Sequence, residues 1–210
     1  MVAQPLKIVD VPEDVDAQLE ALGMSREFVM QVAQQAAAAR MEALPIDPVG
    51  SAGWDSYRYG TRAIRMGLLP KGWRVARDGN VEATVNDELN VQVVFQNVNR
   101  ACAPQDPEAI SGKGAGARSL VNKGQGVLFG KSEAGFQHGA APTVWLICVS
   151  ADETSLRAEV SCPESFEGNQ FEGFSRRLFV IDEAFDGPVD WGSDDDVGGG
   201  ALPDVPVTKK

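Results

Sequence analysis

The chain has 210 residues, of which 43% are hydrophobic and 23% are charged, a composition that excludes disorder over most of its length and suits one domain with a sizeable core. Its net charge of −11 is unevenly distributed along the sequence. Residues 1–50 have 3 bases and 8 acids, residues 51–150 have 11 bases and 8 acids, and residues 151–210 have 5 bases and 14 acids. An acidic protein with a basic middle has two candidate faces: the basic one suits phosphate or an acidic surface, and the acidic one suits a basic protein or the basic middle itself.

Two helices are predicted near the N-terminus. Pro12 suits the first turn of a helix, and Gly23 is a plausible stop. Ser25 is a typical N-cap for a second helix that runs to about Leu44, before Pro45. Together they predict a helical hairpin that docks on the core of the domain, or on a partner protein.

A third helix is predicted from Trp54 to Leu69, because its apolar residues recur at spacings of 3 and 4. The residues of this apolar stripe are Trp54, Tyr57, Thr61, Ile64 and Leu68. Gly60 lies inside the pattern and costs about 1 kcal/mol relative to alanine, which weakens the prediction of a continuous helix.

Beyond Pro70 the pattern changes to short β-branched and aromatic runs separated by turn residues, which is typical of strands. Residues 78–80 predict a tight turn, and residues 145–160 predict a hairpin with Phe171–Ile181 as its third antiparallel strand. The predicted strands are Val81–Val85, Val91–Val98, Val144–Val149, Leu156–Ser161 and Leu178–Ile181. Alternation predicts that one buried face carries Val93, Phe95, Trp145, Ile147, Val160 and Phe179.

The centre, residues 103–139, is rich in glycine and proline and is predicted to be loop, with a possible short helix at 115–123. Residues 183–210 combine acids, glycines and prolines with few core-forming side chains, which predicts a disordered acidic tail. The fold class is therefore α+β, with N-terminal helices on a mainly antiparallel sheet. We expect one domain at 1–182, helical over 10–69 and mainly β over 78–182.

The three cysteines are odd in number and lack C-x-x-C spacing, so they predict buried free thiols rather than disulfides or a zinc knuckle. With a single histidine, the sequence indicates no metal site and no cofactor. The N-terminal residues do not resemble a secretory signal, and no run approaches the roughly 18 apolar residues of a membrane span. A cytoplasmic protein is expected.

The segment from Ser111 to Arg118 is the most suggestive local sequence for an anion site. Its glycines allow backbone N–H groups to approach a phosphate, and Lys113 and Arg118 supply positive charge. Pro107 and Gly114 stand where a P-loop needs glycine and Ser or Thr, so the segment is not a P-loop. A solvated surface loop is the alternative interpretation.

A second basic group begins on the third predicted helix. Arg58, Arg62 and Arg65 fall along one edge of that helix, and positive charge continues beyond it. Arginine combined with aromatic residues is typical of surfaces that bind phosphates and stack bases. The further candidates are Lys71 and Arg74 for phosphate or nucleic acid, and Tyr59 and Trp73 for stacking. The alternative is that these arginines pair with acids of the N-terminal helices.

Catalytic motifs are not found in the sequence. It lacks G-x-S-x-G, H-E-x-x-H, G-x-G-x-x-G after a strand, and the E-x-K element of a common nuclease motif. Asp87, Glu88 and Glu159 are carboxylates without a partner assigned by spacing.

Three segments, Leu69-Pro70-Lys71-Gly72-Trp73, residues 157–163 (RAEVSCP) and residues 176–180 (RRLFV), resemble a class of uncharacterised bacterial accessory proteins carried on prophages and integrative elements. The resemblance covers residues 1–182 and transfers no catalytic residues. It implies a bacterial cytoplasm and interaction with host-defence or nucleic-acid machinery.

The expected function is a non-enzymatic binding protein of a bacterial mobile element that engages a nucleoprotein or host-defence complex through a charged face. Its acidic surface could imitate the phosphates that a basic effector binds. One alternative is nucleic-acid binding by the basic middle region. A third is an enzyme that acts on a phosphorylated small molecule through the loop at residues 112–116.

Overall fold

The computed structural model describes residues 7–78, 81–111, 141–167 and 170–184. Within these ranges the helices are α1 (Pro12–Ala21), α2 (Arg26–Met41) and α3 (Ser51–Leu68), and a 3-10 turn at Leu69–Lys71 follows α3. The strands are β1 (Lys7–Val9), β2 (Arg74–Asp78), β3 (Val81–Asn86), β4 (Val91–Asn97), β5 (Thr143–Asp152), β6 (Ser155–Glu167) and β7 (Gln170–Ala184).

The strands form one seven-stranded sheet in the order β1-β7-β6-β5-β4-β3-β2. The β1–β7 and β4–β5 pairs are parallel, and the other four pairs are antiparallel. The prediction of an α+β fold with N-terminal helices and a mainly antiparallel sheet is confirmed. β1 and β2 were not predicted, since β1 has three residues and β2 is interrupted by arginines.

The two N-terminal helices begin where their capping residues predict. Ser25 Oγ accepts a hydrogen bond of 3.2 Å from the backbone N–H of Phe28, and Gly23 has a φ of +72° after α1. α2 ends at Met41, three residues before the predicted end. Leu44 lies in a turn instead, because its N–H donates to Asp47 Oδ2 at 2.7 Å and the following Pro45 disfavours helical geometry.

α3 is one continuous helix through Gly60, whose role is close packing. A Cβ at this position would lie 2.3 Å from Cε2 of Phe95 on β4, so only glycine lets the helix approach the sheet this closely. Gly67 packs in the same way against Phe28 of α2, because a Cβ at Gly67 would lie 2.5 Å from Cε2 of that ring. Gly60, the glycine that weakened the sequence prediction, and Gly67 are therefore the positions where α3 meets its neighbours.

The helices cover one face of the sheet and enclose the larger core. Five predicted core residues lie there and are at most 7% exposed: Val93, Phe95, Trp145, Ile147 and Val160. The prediction for the sixth residue, Phe179, is wrong, because this side chain lies partly buried against the opposite face of the sheet. Val160 is opposite Leu178 in the ladder, whereas Phe179 is opposite Glu159, and directly opposed residues share a face.

A second core covers the other face, where residues 98–111 cross the sheet. Cys102 and Cys148 are buried in it, Cys162 is buried on the helical side, and all three are free thiols, as predicted. The predicted start of the tail at residue 183 is wrong, because Glu183 and Ala184 belong to β7 and lie opposite Leu156 and Ser155. The rest of the predicted tail and the predicted helix at 115–123 lie outside the described residues. No helix in the described part of the chain is long and apolar enough to cross a membrane.

Candidate functional site

α3 is amphipathic, and the face that points away from the core combines apolar and cationic side chains. Trp54 is 62% exposed and Met66 is 65% exposed, while Arg58 and Arg62 are exposed between them. A groove of about 580 Å³ runs along this face, and we call it the α3 groove. It is lined by Trp54, Tyr57, Arg58, Thr61, Arg62, Arg65, Met66, Leu69, Pro70 and Glu82.

The prediction that Trp54 belongs to the buried apolar stripe of α3 is wrong, because its side chain is exposed. The residues of α3 that are buried are Ser56, Gly60, Thr61, Ala63, Ile64 and Leu68, so the stripe that meets the core begins with small residues. The indole of Trp54 instead packs at the surface, 6.0 Å from the ring of Tyr57. Burial raises the pKa of the Tyr57 phenol, and Glu82 adds to this effect, so Tyr57 forms a neutral wall of the groove.

Arg58 and Arg62 share one aromatic partner. Each guanidinium carbon lies 4.8 Å from the ring centroid of Tyr59. Arg58 Nε is 3.7 Å from Asp55 Oδ1, which is long for a hydrogen bond, and Arg62 forms no ion pair with a described residue. The predicted stacking residue Tyr59 is therefore covered by its own arginines, and two cations remain available at the groove.

Arg65, the third arginine predicted on this helix, forms an ion pair that a second arginine shares. Its Nη2 donates to Glu82 Oε2, and Arg77 Nε donates to the same carboxylate at 3.0 Å. Hydrogen bonding from Arg65, reinforced by Arg77, lowers the pKa of Glu82, so the carboxylate stays ionised. The alternative that these arginines pair with acids of the N-terminal helices is wrong for Arg65, because its acid, Glu82, comes from β3.

The remaining basic candidates lie outside the groove. Arg74 donates two hydrogen bonds of 2.6 and 2.7 Å to Asp87, and they lower the pKa of that exposed carboxyl group. Lys71 is exposed on the 3-10 turn, with Nζ 6.0 Å from the ring centroid of Phe28. Lys113 and Arg118, with the glycine-rich loop that carries them, lie outside the described residues.

The prediction that Trp73, the other stacking candidate, is available to a base is wrong. It is 5% exposed and belongs to the core on the helical side of the sheet. A Cβ added to Gly23 would lie 3.3 Å from Cζ2 of Trp73, which places the indole against the end of α1. A ring held in this way cannot stack on a nucleic-acid base.

The thiols do not provide a nucleophile. Burial raises the pKa of Cys102 to about 12, with a further contribution from the charge of Glu159, and burial also raises the pKa of Cys148. Cys102 Sγ donates to the carbonyl oxygens of Ala158 and Ile181, at 3.3 and 3.1 Å. Among the described residues, no group of three or more His, Cys, Asp or Glu side chains could hold a metal ion.

Comparisons with known proteins add no further information about the groove. No protein-family model matches the chain, and no curated protein or solved structure is significantly similar to it. Any functional conclusion therefore has to come from the site itself. The sequence indicated Arg58 and Arg62 as site residues, but it placed Trp54 in the core. The signal for an apolar surface was Met66, because this apolar residue falls outside the predicted stripe.

Proposed function

We propose that the protein is a non-enzymatic binding protein that engages a partner protein through the α3 groove. The observation that carries this proposal is the exposure of Trp54 and Met66 beside Arg58 and Arg62 on one rigid helix. Aromatic residues, methionine and arginine are enriched in protein–protein interfaces, and Trp and Arg often dominate their binding energy.

The groove favours a partner segment that is apolar at its centre and acidic at its edge. Trp54, Met66 and Leu69 offer apolar surface, and desolvating them on contact favours binding. Arg62 forms no ion pair with a described residue, and Arg58 has only the 3.7 Å pair with Asp55, whereas Arg65 already donates to Glu82. A carboxylate of the partner can therefore hydrogen-bond to Arg62 without displacing an internal ion pair, and to Arg58 at the cost of one long pair only.

Nucleic-acid binding by the basic middle region is the less favoured function. Phosphate binding requires several free cations along one path. Here Arg65, Arg74 and Arg77 each have a carboxylate within hydrogen-bond distance, which divides the positive charge. The buried Trp73 removes one of the two stacking candidates.

The biological setting of this proposal rests on the resemblance of three segments to accessory proteins of prophages and integrative elements. In that setting the partner belongs to a host-defence or nucleoprotein complex in a bacterial cytoplasm. In the same setting, mimicry of nucleic-acid phosphates by the acidic surface is a separate proposal, in which a basic effector binds elsewhere than at the α3 groove.

The test places a photoreactive phenylalanine at position 54 of the full chain, and at position 46 as the control. Ile46 is 88% exposed but lies outside the groove. After irradiation in a bacterial lysate, we expect a protein adduct of defined mass from position 54 only. It should survive nuclease treatment and should disappear when Arg58 and Arg62 are both changed to glutamate.

Two results would contradict the proposal. One is an adduct that forms equally well from position 46, since that would indicate nonspecific contact. The other is an adduct at position 54 that is lost on nuclease treatment, which would favour the nucleic-acid function instead.

A further inference from the structure

A second cleft lies at the edge of the sheet where the parallel strands β4 and β5 both end. It has a volume of about 570 Å³ and shares no lining residue with the α3 groove. Asn97 is the last residue of β4, and Ser150 lies near the end of β5. In sheets with parallel strands, ligands bind in crevices outside the carboxyl ends of the strands, and volumes of about 300–1,000 Å³ are typical of small-molecule sites.

The walls of this cleft are fixed by hydrogen bonds. Asn97 Oδ1 accepts from Ser56 Oγ at 2.7 Å, and its Nδ2 donates to the carbonyl oxygen of Gly53 at 3.0 Å, which joins β4 to α3. Asn99 Oδ1 accepts from the N–H groups of Arg100 and Glu108, at 2.6 and 3.1 Å. These hydrogen bonds connect the chain that leaves β4 to residue 108 at the mouth of the cleft.

Three arginines from different parts of the fold line the cleft. Arg40 comes from the last turn of α2, Arg100 follows β4, and Arg157 lies on β6. Arg157 is occupied, because its Nε donates to Asp182 Oδ1 at 2.6 Å and its Nη1 donates to Ser155 Oγ at 2.7 Å. Arg40 and Arg100 form no ion pair with any residue that the structure describes.

Asp152 is the only carboxylate among the described lining residues, and it is used within the β5–β6 turn. Its Oδ1 accepts from the N–H and Oγ1 of Thr154, both at 2.8 Å, and from Ser155 Oγ at 3.1 Å. These hydrogen bonds lower the pKa of Asp152, which therefore stays ionised, but its single negative charge is outnumbered by the positive charges of Arg40 and Arg100. The described lining therefore keeps an excess of positive charge.

We propose that this cleft binds a small polar molecule through an oxyanion, a phosphate or a carboxylate, with Arg40 and Arg100 as its ligands. Guanidinium groups present pairs of N–H donors that match both kinds of oxyanion. Ser150 supplies a third donor, since its Oγ accepts from the N–H of Ala101 at 3.0 Å and retains its own proton. The mostly polar lining suits a hydrophilic ligand rather than an apolar one.

The test is a titration of the full ¹⁵N-labelled chain with pyrophosphate and, separately, with citrate, each against sodium chloride at equal ionic strength. We expect saturable shifts of the amide signals of Asn99, Arg100 and Ser150 beyond the effect of salt. Tighter binding of pyrophosphate would assign the anion as a phosphate, and tighter binding of citrate would assign it as a carboxylate.

Matched variants separate this site from general charge effects. Arg100→Gln should weaken binding about tenfold or more, because it removes a charge-assisted hydrogen bond. Arg176→Gln removes another exposed arginine, which lies on β7 outside the cleft, and should change the affinity less than about twofold. Equal weakening in both variants, or no saturable shift with either probe, would overturn the proposal.

A third result would also overturn it. If Arg40→Gln combined with Arg100→Gln leaves the affinity for both probes unchanged, the two arginines are not the ligands of the anion. Because no residue of the α3 groove takes part, the outcome is independent of the crosslinking test.

Discussion

The carboxylate of Glu159 and the guanidinium of Arg177 form a two-pronged ion pair in the interior, where both side chains are fully buried. Arg177 Nε donates to Oε1 at 2.8 Å and Nη2 donates to Oε2 at 2.7 Å. The carboxylate also accepts from the N–H of Cys102 and from Ser161 Oγ, both at 2.6 Å, while Arg177 Nη1 donates to the carbonyl oxygen of Gln105 at 2.9 Å. The pair thus attaches residues 98–111 to the sheet.

Removing one partner of this pair should be severely destabilising. Glu159→Gln leaves the buried guanidinium of Arg177 with only the partly exposed carboxylate of Asp106, 3.8 Å from Nη1, as a counter-charge, and we expect the free energy of unfolding to fall by about 3–5 kcal/mol in urea titrations. Replacing Glu159 with Leu and Arg177 with Met together should recover much of that loss.

The control for this prediction is Asp182→Asn, which breaks the partly exposed pair with Arg157 and should cost less than about 1 kcal/mol. A loss of that small size in Glu159→Gln as well would mean that water reaches the Glu159–Arg177 pair.

Two glycines of α3 should respond in opposite ways to alanine. Gly60→Ala places a methyl group against the ring of Phe95 and should destabilise the protein by roughly 1–3 kcal/mol. Gly53→Ala meets nothing within 4 Å and should stabilise it by up to about 1 kcal/mol. Thermal unfolding of both variants measures the contrast, and equal effects would argue against the close approach of α3 to β4.

Two tryptophans should separate stability from binding. Trp145 is 7% exposed in the core, so Trp145→Ala should cost roughly 3–5 kcal/mol. Trp54 is 62% exposed, so Trp54→Ala should change stability by about 0.5 kcal/mol or less while it removes binding to the partner. An unchanged melting temperature in Trp145→Ala would contradict the assignment of the core face.

The thiol of Cys102 should stabilise the folded state only while it is protonated. Its pKa of about 12 in the folded protein lies above the ordinary value of 9.0, so this stabilisation is complete below pH 9 and is lost as the pH rises towards 12. The difference in unfolding free energy between the native chain and Cys102→Ala should shrink over that range. A difference independent of pH would show that the thiol titrates normally.

Nucleic acid should not bind appreciably to the intact chain. At about 50 mM salt, fluorescence anisotropy with a short duplex and a single strand should show no saturable binding, since Arg65, Arg74 and Arg77 are paired with carboxylates and do not form a continuous path of free cations. Tight binding that weakens steeply with salt and is lost when Arg58 and Arg62 are changed to glutamate would instead support the nucleic-acid function.

Features that depend on neighbouring residues in the chain were determined by the sequence alone. The N-cap of α2 needs only the Ser25 hydroxyl and the N–H of Phe28 three residues later, and the β5–β6 turn needs only Asp152 and the residues that follow it. Alternating apolar residues gave β4 and β5 the correct buried face, and with it the α+β class.

Tertiary contacts decided the features that were missed. Strand alternation directs Glu159 away from the apolar face, yet it is fully buried because residues 98–111 cover the second face of the sheet. Trp73 and Trp54 are both large aromatic residues near α3, but the first packs against the end of α1 and the second projects beyond the core. Burial depends on which distant segment lies opposite a side chain, and local periodicity does not contain that information.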